Sequence, residues 1–379
     1  MTSPIYLVDG SAYIFRAFYA VAPLTTKSGF PTNALFGFTK MLQKLLTEAK
    51  PEHIAVIFDA GKETFRNELY DQYKANRTEP PEELILQFPY FSEITKALGL
   101  LTLSQSGFEA DDLIGTLSAK LTKDGHEVII VTADKDMMQL VNPQISLWDT
   151  MRDKRYQKKE VIEKMGVPPE KIIDLLGLVG DTSDNIPGIQ GVGPKTAVQL
   201  LEFYNNIEEI LSKPKEIAEN SKIRNRKKIA EQIESNPEIV RLSKRLATIV
   251  CDAPVMFPID SENSDSVLSL STSYILQGLT RKDPSSDKLS ELASKFEFSG
   301  LFESLAKTTA NKDRVHNENY KTITSDNFGK WASEFLKQKE FALDLETDSL
   351  TPWEANIVGV AICWDDNISY YIPVGHKQS

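Results

Sequence analysis

The sequence predicts an α/β protein with a mostly parallel sheet buried on both faces, and three observations carry that prediction. Short apolar runs at 5–8, 54–58 and 128–131 are separated by amphipathic stretches of helical period. Each run is aliphatic and β-branched without polar alternation, as in strands covered by helices on both sides. Each run also leads into acids: Asp9, then Asp59, then Asp134 and Asp136 after Thr132 and Ala133. In open parallel sheets, chemistry gathers outside the carboxyl ends of the strands.

Taken in order, the chain divides into four segments. Residues 1–165 carry the strand-and-helix alternation, and 166–305 are mostly helical, interrupted by a Gly/Pro-rich stretch at 185–194. Within the latter, one amphipathic helix is expected over 289–305, broken at Gly300. Residues 306–319 are a polar linker. Residues 320–379 begin afresh, with a helix over 328–337 and strand-like runs at 341–345, 357–363 and 368–373. A length of 379 residues suits two or three domains. Hydrophobic residues at 41% and charged ones at 26% exclude a disordered or collagen-like chain. No apolar run is long enough for a membrane span, and the N-terminus lacks the basic region of a signal peptide. Two cysteines and four histidines are too few for a disulfide framework or a Cys-type zinc site, which points to a reducing cytoplasm.

The net charge of −11 argues against a nucleic-acid partner until the acids are located. Glu109, Asp111 and Asp112 open a helix whose apolar face is Leu113, Ile114, Leu117 and Leu121. Asp181 and Asp184 stand three apart ahead of Ile186-Pro187-Gly188. Singly, each acid reads as a helix cap or a favourable charge at a helix N-terminus. Together, Asp9, Asp59, Glu109, Asp111, Asp112, Asp134, Asp136, Asp181 and Asp184 are nine carboxylates that account for most of the negative balance. Carboxylates gathered without cations repel and raise one another's pKa. An oxygen-only set of this kind suits Mg²⁺ or Mn²⁺. Two such ions about 4 Å apart activate water and stabilise the leaving oxygen of a phosphodiester.

Two further stretches suit phosphate. In residues 188–197, Gly188, Gly191 and Gly193 precede Pro194, Lys195 and Thr196, a tight turn running into a helix N-terminus with exposed amides. A plain loop-to-helix transition is the bland alternative, and the spacing is not that of a Walker loop. Residues 222–228 hold five basic residues in seven, either a solvated helix face or a contact with a nucleic-acid backbone. Tyr73, Lys74 and Arg77 fit one helical turn combining a stacking ring with cations, though ordinary surface residues explain them equally well.

With these residues assembled, the chain resembles the 5′ nucleases of the flap endonuclease family, in the version that opens a bacterial DNA polymerase. The matching motifs are Leu7-Val8-Asp9-Gly10-Ser11, Val56-Ile57-Phe58-Asp59-Ala60, Glu109-Ala110-Asp111-Asp112, Thr132-Ala133-Asp134-Lys135-Asp136 and Gly180-Asp181-Thr182-Ser183-Asp184-Asn185-Ile186-Pro187-Gly188. The resemblance runs from about residue 4 to 305, with the five motifs in the family's order and spacing. The resemblance implies a Rossmann-like nuclease core, a helical arch over the active site, and a helix–hairpin–helix DNA clamp that holds K⁺. It implies two Mg²⁺ or Mn²⁺ ions, with Asp9, Asp59, Glu109 and Asp111 holding the first and Asp112, Asp134, Asp136, Asp181 and Asp184 the second, partly through water. Lys74 and Arg77, joined by Arg16, match cations that contact the scissile phosphate. Tyr73 joins the DNA-binding set, and Gly191, Gly193, Lys195 and Thr196 match the turn that holds the DNA backbone. The implied partner is DNA with 5′ flaps, nicks or RNA primers, cut by a monomer at the bacterial nucleoid during primer removal and repair.

The tail resembles the start of the RNase H-like 3′–5′ exonuclease domain that follows in the same polymerases, through Asp344 and Glu346 in residues 341–350. That motif stands alone there, so neither proofreading nor polymerase activity is expected. Three other readings compete for the whole: a non-catalytic DNA-end-binding module, a related single-strand RNase, and a phosphatase using Asp134 and Asp136. Retention of all nine acids disfavours the first; the presence of a hairpin clamp disfavours the other two.

Overall fold

The computed structural model describes residues 3–258, 264–298, 300–301, 320–349, 354–365 and 368–374, which fall into two compact units, Met1–Ala306 and Lys307–Ser379. In the first unit β1 (Ile5–Asp9), β2 (His53–Ile57), β3 (Leu101–Leu103), β4 (Val128–Val131), β5 (Ile145–Asp149) and β6 (Lys154–Tyr156) form one sheet in the order β3-β2-β1-β4-β5-β6. All neighbours are parallel except β5 and β6. The three expected strands are its centre. β3, β5 and β6 lie outside the expected strands: two are only three residues long, and Ile145–Asp149 mixes Ser146 into its apolar run.

Successive residues of the central strands feed two separate cores, as the two-residue period of a strand requires. Ile5, Leu7, Ala55 and Ile57 join Leu113, Ile114 and Leu117 of the helix Ala110–Lys123. Tyr6, Val8, Ile54 and Val56 face the helices Gly10–Ala20, Asn33–Ala49 and Phe88–Ala97, with Leu289, Leu292 and Phe296 from the helix Ser286–Phe296. That last helix stops earlier than the expected 289–305, because Glu297 turns left-handed at φ 56°. Residues 302–305 and the linker 306–319 lie outside the described residues.

Between β2 and β3, where an arch is implied, the chain forms the helix Phe65–Leu69, a turn over 71–76 and the four-residue helix Glu82–Ile85. The helical part includes Ile172–Val179, Pro194–Phe203, Arg226–Ser235 and Pro237–Ala247. It is followed by the small antiparallel pair β7 (Met256–Pro258) and β8 (Ser264–Ser266).

The second unit has one more strand than expected. β9 (Tyr320–Thr322) pairs parallel with β12 (Ile368–Pro373), which continues antiparallel through β11 (Ile357–Asp365) to β10 (Ala342–Thr347). The helix Phe328–Phe335 lays Trp331 over this sheet, where it is buried with Ile323, Ile362 and Tyr370.

Candidate active site

The sheet order reverses direction between β1 and β4: β2 and β3 lie to one side of β1, β4 and β5 to the other. A crevice opens outside the carboxyl ends at such a switch point. Asp9 ends β1 there, Asp59 follows β2 by two residues, and Asp134 follows β4 by three. Across the crevice the helix Ala110–Lys123 begins, with Glu109 as its N-cap and Asp111 in its first turn. The main-chain N–H of Ala110 donates to Asp59 Oδ1 at 2.8 Å, tying that helix N-terminus to the end of β2.

The carboxylates form two electrostatic groups that share Asp134. Burial pushes the Asp9 carboxyl up to about 7, with repulsion from Asp134 and Asp59 adding to it. Asp9 nevertheless caps its helix by accepting from the Ala12 amide, and its other oxygen accepts from Thr132 Oγ1 at 2.8 Å. Burial and the charges of Asp134, Asp9, Glu109 and Asp59 drive Asp111 well above the ordinary carboxylate range. In the second group, burial and Asp134 raise Asp136 to about 7, opposed by Lys135, with Asp181 and Asp184 adding to the rise. Burial alone would raise Asp181 as well, but hydrogen bonds from Lys135 and Ser183 overcome it and hold that carboxyl at about 2.

Cations brace this edge. Lys74, in the left-handed region at φ 56°, puts Nζ 2.5 Å from Glu109 Oε1 and 3.7 Å from Asp184 Oδ2. Its own amide donates to the Asp184 carbonyl. Arg77 pairs with Asp184, and Lys135 reaches Asp181 at 2.6 Å. Lys74, Arg77 and Lys135 thus link the turn after the helix Phe65–Leu69, and the segment after β4, to the loop 181–184.

Four sequence-based assignments change. Asp112 does not face the crevice: it is fully buried, and both its oxygens accept from Arg66, at 2.7 and 2.8 Å. The amides of Glu109 and Val250 donate to the same carboxylate, leaving it no free direction for an ion. Tyr73 is only 3% exposed and donates to Glu109 and Asp184 from beneath, so it is a buried support and not a stacking platform. It also belongs to a turn, so Tyr73, Lys74 and Arg77 do not share a helix. Arg16 is bound to Asp149 at the end of β5, at 3.0 Å. Arg66, Lys135 and Asp149 escaped the sequence reading. Asp149 repeats the pattern of a strand ending in an acid and was findable once β5 was recognised; Arg66 follows no pattern.

The hairpin forms between the helices Ile172–Val179 and Pro194–Phe203. Gly193 is the N-cap of the second helix, Lys195 is exposed, and a side chain added at Gly191 or Gly193 would meet open space. Gly180 and Gly188 are the tight positions: both have positive φ, and a Cβ on Gly188 would stand 2.5 Å from the Gly180 nitrogen.

The donor set fits a hard divalent cation. It is oxygen-only, and Asp136 Oδ1 is buried without a hydrogen-bond partner. His53 and His126 lie at the opposite, amino end of the sheet. Among the described residues no three acidic, histidine or cysteine side chains are already drawn together as an ion would draw them; Lys74 and Lys135 stand on carboxylate oxygens instead.

Comparison with known proteins fits this geometry. The family described as 5′-3′ exonuclease, N-terminal resolvase-like domain, matches residues 4–166, and the 5′-3′ exonuclease C-terminal SAM fold matches 167–267. A 5′-3′ exonuclease of Aquifex aeolicus is 44% identical over 55% of this chain and 72% of its own length. DNA polymerase I of Rhizobium leguminosarum is 47% identical over 68% of this chain. The chain spans about a quarter to two fifths of the DNA polymerase I relatives it matches. T5 5′-exonuclease, solved with zinc as bound divalent metal ions, shares the fold at 23% identity and a TM-score of 0.53, covering 64% of this chain and 89% of that one.

Proposed function

This chain belongs to the 5′-3′ exonuclease family, a hydrolase acting on DNA, and from that premise we propose that the crevice at the β1–β4 switch point cuts phosphodiesters at the junction of a 5′ flap with duplex DNA. The observation that carries this reading is the convergence of Asp9, Asp59, Glu109, Asp111 and Asp134 on one sheet edge, with Lys74 and Arg77 beside them.

Asp9, Asp59, Glu109 and Asp111 are the ligand set for one Mg²⁺ or Mn²⁺, and Asp134, Asp136, Asp181 and Asp184 for a second. When bound, such ions lower the pKa of water and share the charge that develops on the phosphate. The protein's own part is to hold the strand. Lys74 and Arg77 leave their carboxylate partners for the scissile phosphate and stabilise its growing negative charge. Water adds to phosphorus, the bond to the leaving oxygen breaks, and the products are a 5′-phosphate and a 3′-hydroxyl. Gly191, Gly193, Lys195 and Thr196 grip the duplex backbone at the hairpin.

The cellular role is removal of RNA primers and displaced strands, by a monomer in the bacterial cytoplasm, as the N-terminal part of a DNA polymerase I. No helix among the described residues is long and apolar enough to cross a membrane. A 5′-labelled flap substrate incubated with and without Mg²⁺ tests the activity. Release of the flap as one short oligonucleotide, only with metal, is expected; free phosphate alone, or intact DNA, overturns it.

A further inference from the structure

The basic run at 222–228 has no part in the site described above. Five of its seven residues are Lys or Arg, in a chain whose net charge is −11. Ile223 is buried and anchors the run, and the helix Arg226–Ser235 buries Ile229, Ala230 and Ile233 on its inner face. Two of the five cations are engaged locally: Arg226 Nε donates to the Ala218 carbonyl, and Lys222 stands 5.7 Å from the centre of the Phe203 ring. Arg224, Lys227 and Lys228 are exposed and make no ion pair or hydrogen bond among the described residues. Three nearby cations behave differently: Lys213 pairs with Glu209, Arg241 with Glu208, and Lys244 with Asp174.

Their position is costly in the free protein. Arg226, Lys227 and Lys228 fill the first turn of a helix that has no acid there, so like charges meet the positive end of the helix dipole. A solvated face gains nothing from that arrangement, whereas an anionic partner reverses its sign. The run also adjoins the hairpin. Gln232 Nε2 donates to Gln190 Oε1 at 3.3 Å, and Lys228 sits one helical turn before Gln232, on the same face.

We propose that Arg224, Lys227 and Lys228 form a second phosphate-binding ridge that continues the hairpin's grip along duplex DNA, an inference that rests on reading the hairpin as a duplex clamp. From Gln232 back to Lys227 the helix rises about 8 Å, more than the roughly 3.4 Å of duplex axis between successive phosphates of one strand, so the ridge adds contacts separate from the hairpin's own.

The test is equilibrium binding of the full chain, in chelator so that no cleavage occurs, to flap DNAs whose duplex arms either stop at the hairpin or extend past the ridge. For the combined Arg224→Ala, Lys227→Ala and Lys228→Ala variant we expect affinity for the long arm to fall roughly ten- to a hundredfold, and its salt slope by about one unit per cation removed. The short arm should be bound nearly as before. A charge-retaining set, Arg224→Lys with Lys227→Arg and Lys228→Arg, should keep the wild-type slope. Equal losses on both arms, or none on the long arm, overturn the ridge. If the wild-type chain neither binds nor cuts flap DNA, the reading of the whole site fails instead.

Discussion

Adjacent acids in this chain do opposite work, and Asp111 and Asp112 show it most sharply. Asp111 is driven above its ordinary range by burial and by four neighbouring carboxylates. Replacing it with Asn removes that repulsion, so the fold should melt no earlier than wild type in chelator, while flap cleavage is abolished. The same substitution should remove the first ion's share of the rise in Tm that Mg²⁺ gives the wild type, about 3 kcal/mol of stabilisation per site at a hundred times Kd. Calorimetry with and without Mg²⁺ checks both statements, and normal turnover by Asp111→Asn refutes the assignment. Asp112, one residue on, neutralises the buried Arg66 guanidinium, which also donates to the carbonyls of Leu246 and Thr248. Asp112→Ala leaves that buried charge with only Glu109, 3.6 Å away and not in a two-pronged pair, and should cost about 3 kcal/mol of stability by denaturant titration. Little loss would place Asp112 back among the ligands.

At the scale of elements, the turn 71–76 and the hairpin separate chemistry from grip. The turn holds Lys74 in a left-handed conformation against Glu109, so Lys74→Ala should slow the chemical step in single-turnover kinetics with prebound DNA, by roughly a hundredfold or more. An unchanged rate with weaker binding would reduce Lys74 to a backbone contact. The hairpin should show the reverse pattern: Lys195→Ala weakens duplex binding and lowers its salt dependence, with less effect at saturating DNA. Its backbone depends on Gly180 and Gly188, which approach each other too closely for any side chain and whose φ values disfavour one. Gly188→Ala should therefore disrupt the hairpin, whereas Gly193→Ala, which faces open space, should fold normally. Equal melting temperatures for these two variants would contradict that contrast.

The whole molecule is two units of unequal core. In the second, four buried residues among those described, Ile323, Trp331, Ile362 and Tyr370, hold the sheet, while β10 lies exposed along its whole length with Leu343 and Leu345 in solvent. Less apolar burial means less stabilisation, so scanning calorimetry should resolve an early transition for residues 320–379 ahead of the nuclease unit. Asp344 and Glu346 lie on this exposed strand, with no third acid matching a motif beside them in sequence. A 3′-labelled strand should thus survive incubation with Mg²⁺ and the Asp111→Ala chain; stepwise shortening would show an active second unit.

The central strands and the helices at 110 and 194 were legible in the sequence because local pattern alone sets them: uninterrupted apolar runs rich in Ile and Val, capping acids, and Pro194 at a first turn. The acid-ended strands also announced their shared edge, since a parallel sheet sends its strand ends the same way. What local pattern cannot carry is the direction of a side chain. Asp112 and Asp111 are indistinguishable in sequence, yet their place on one helix turn sends the first to Arg66, 46 residues away, and the second into the crevice. Tyr73 is buried and Arg16 is paired for the same reason: partners distant along the chain, brought near only by tertiary packing, decide which charges are spent on the fold and which remain for a ligand.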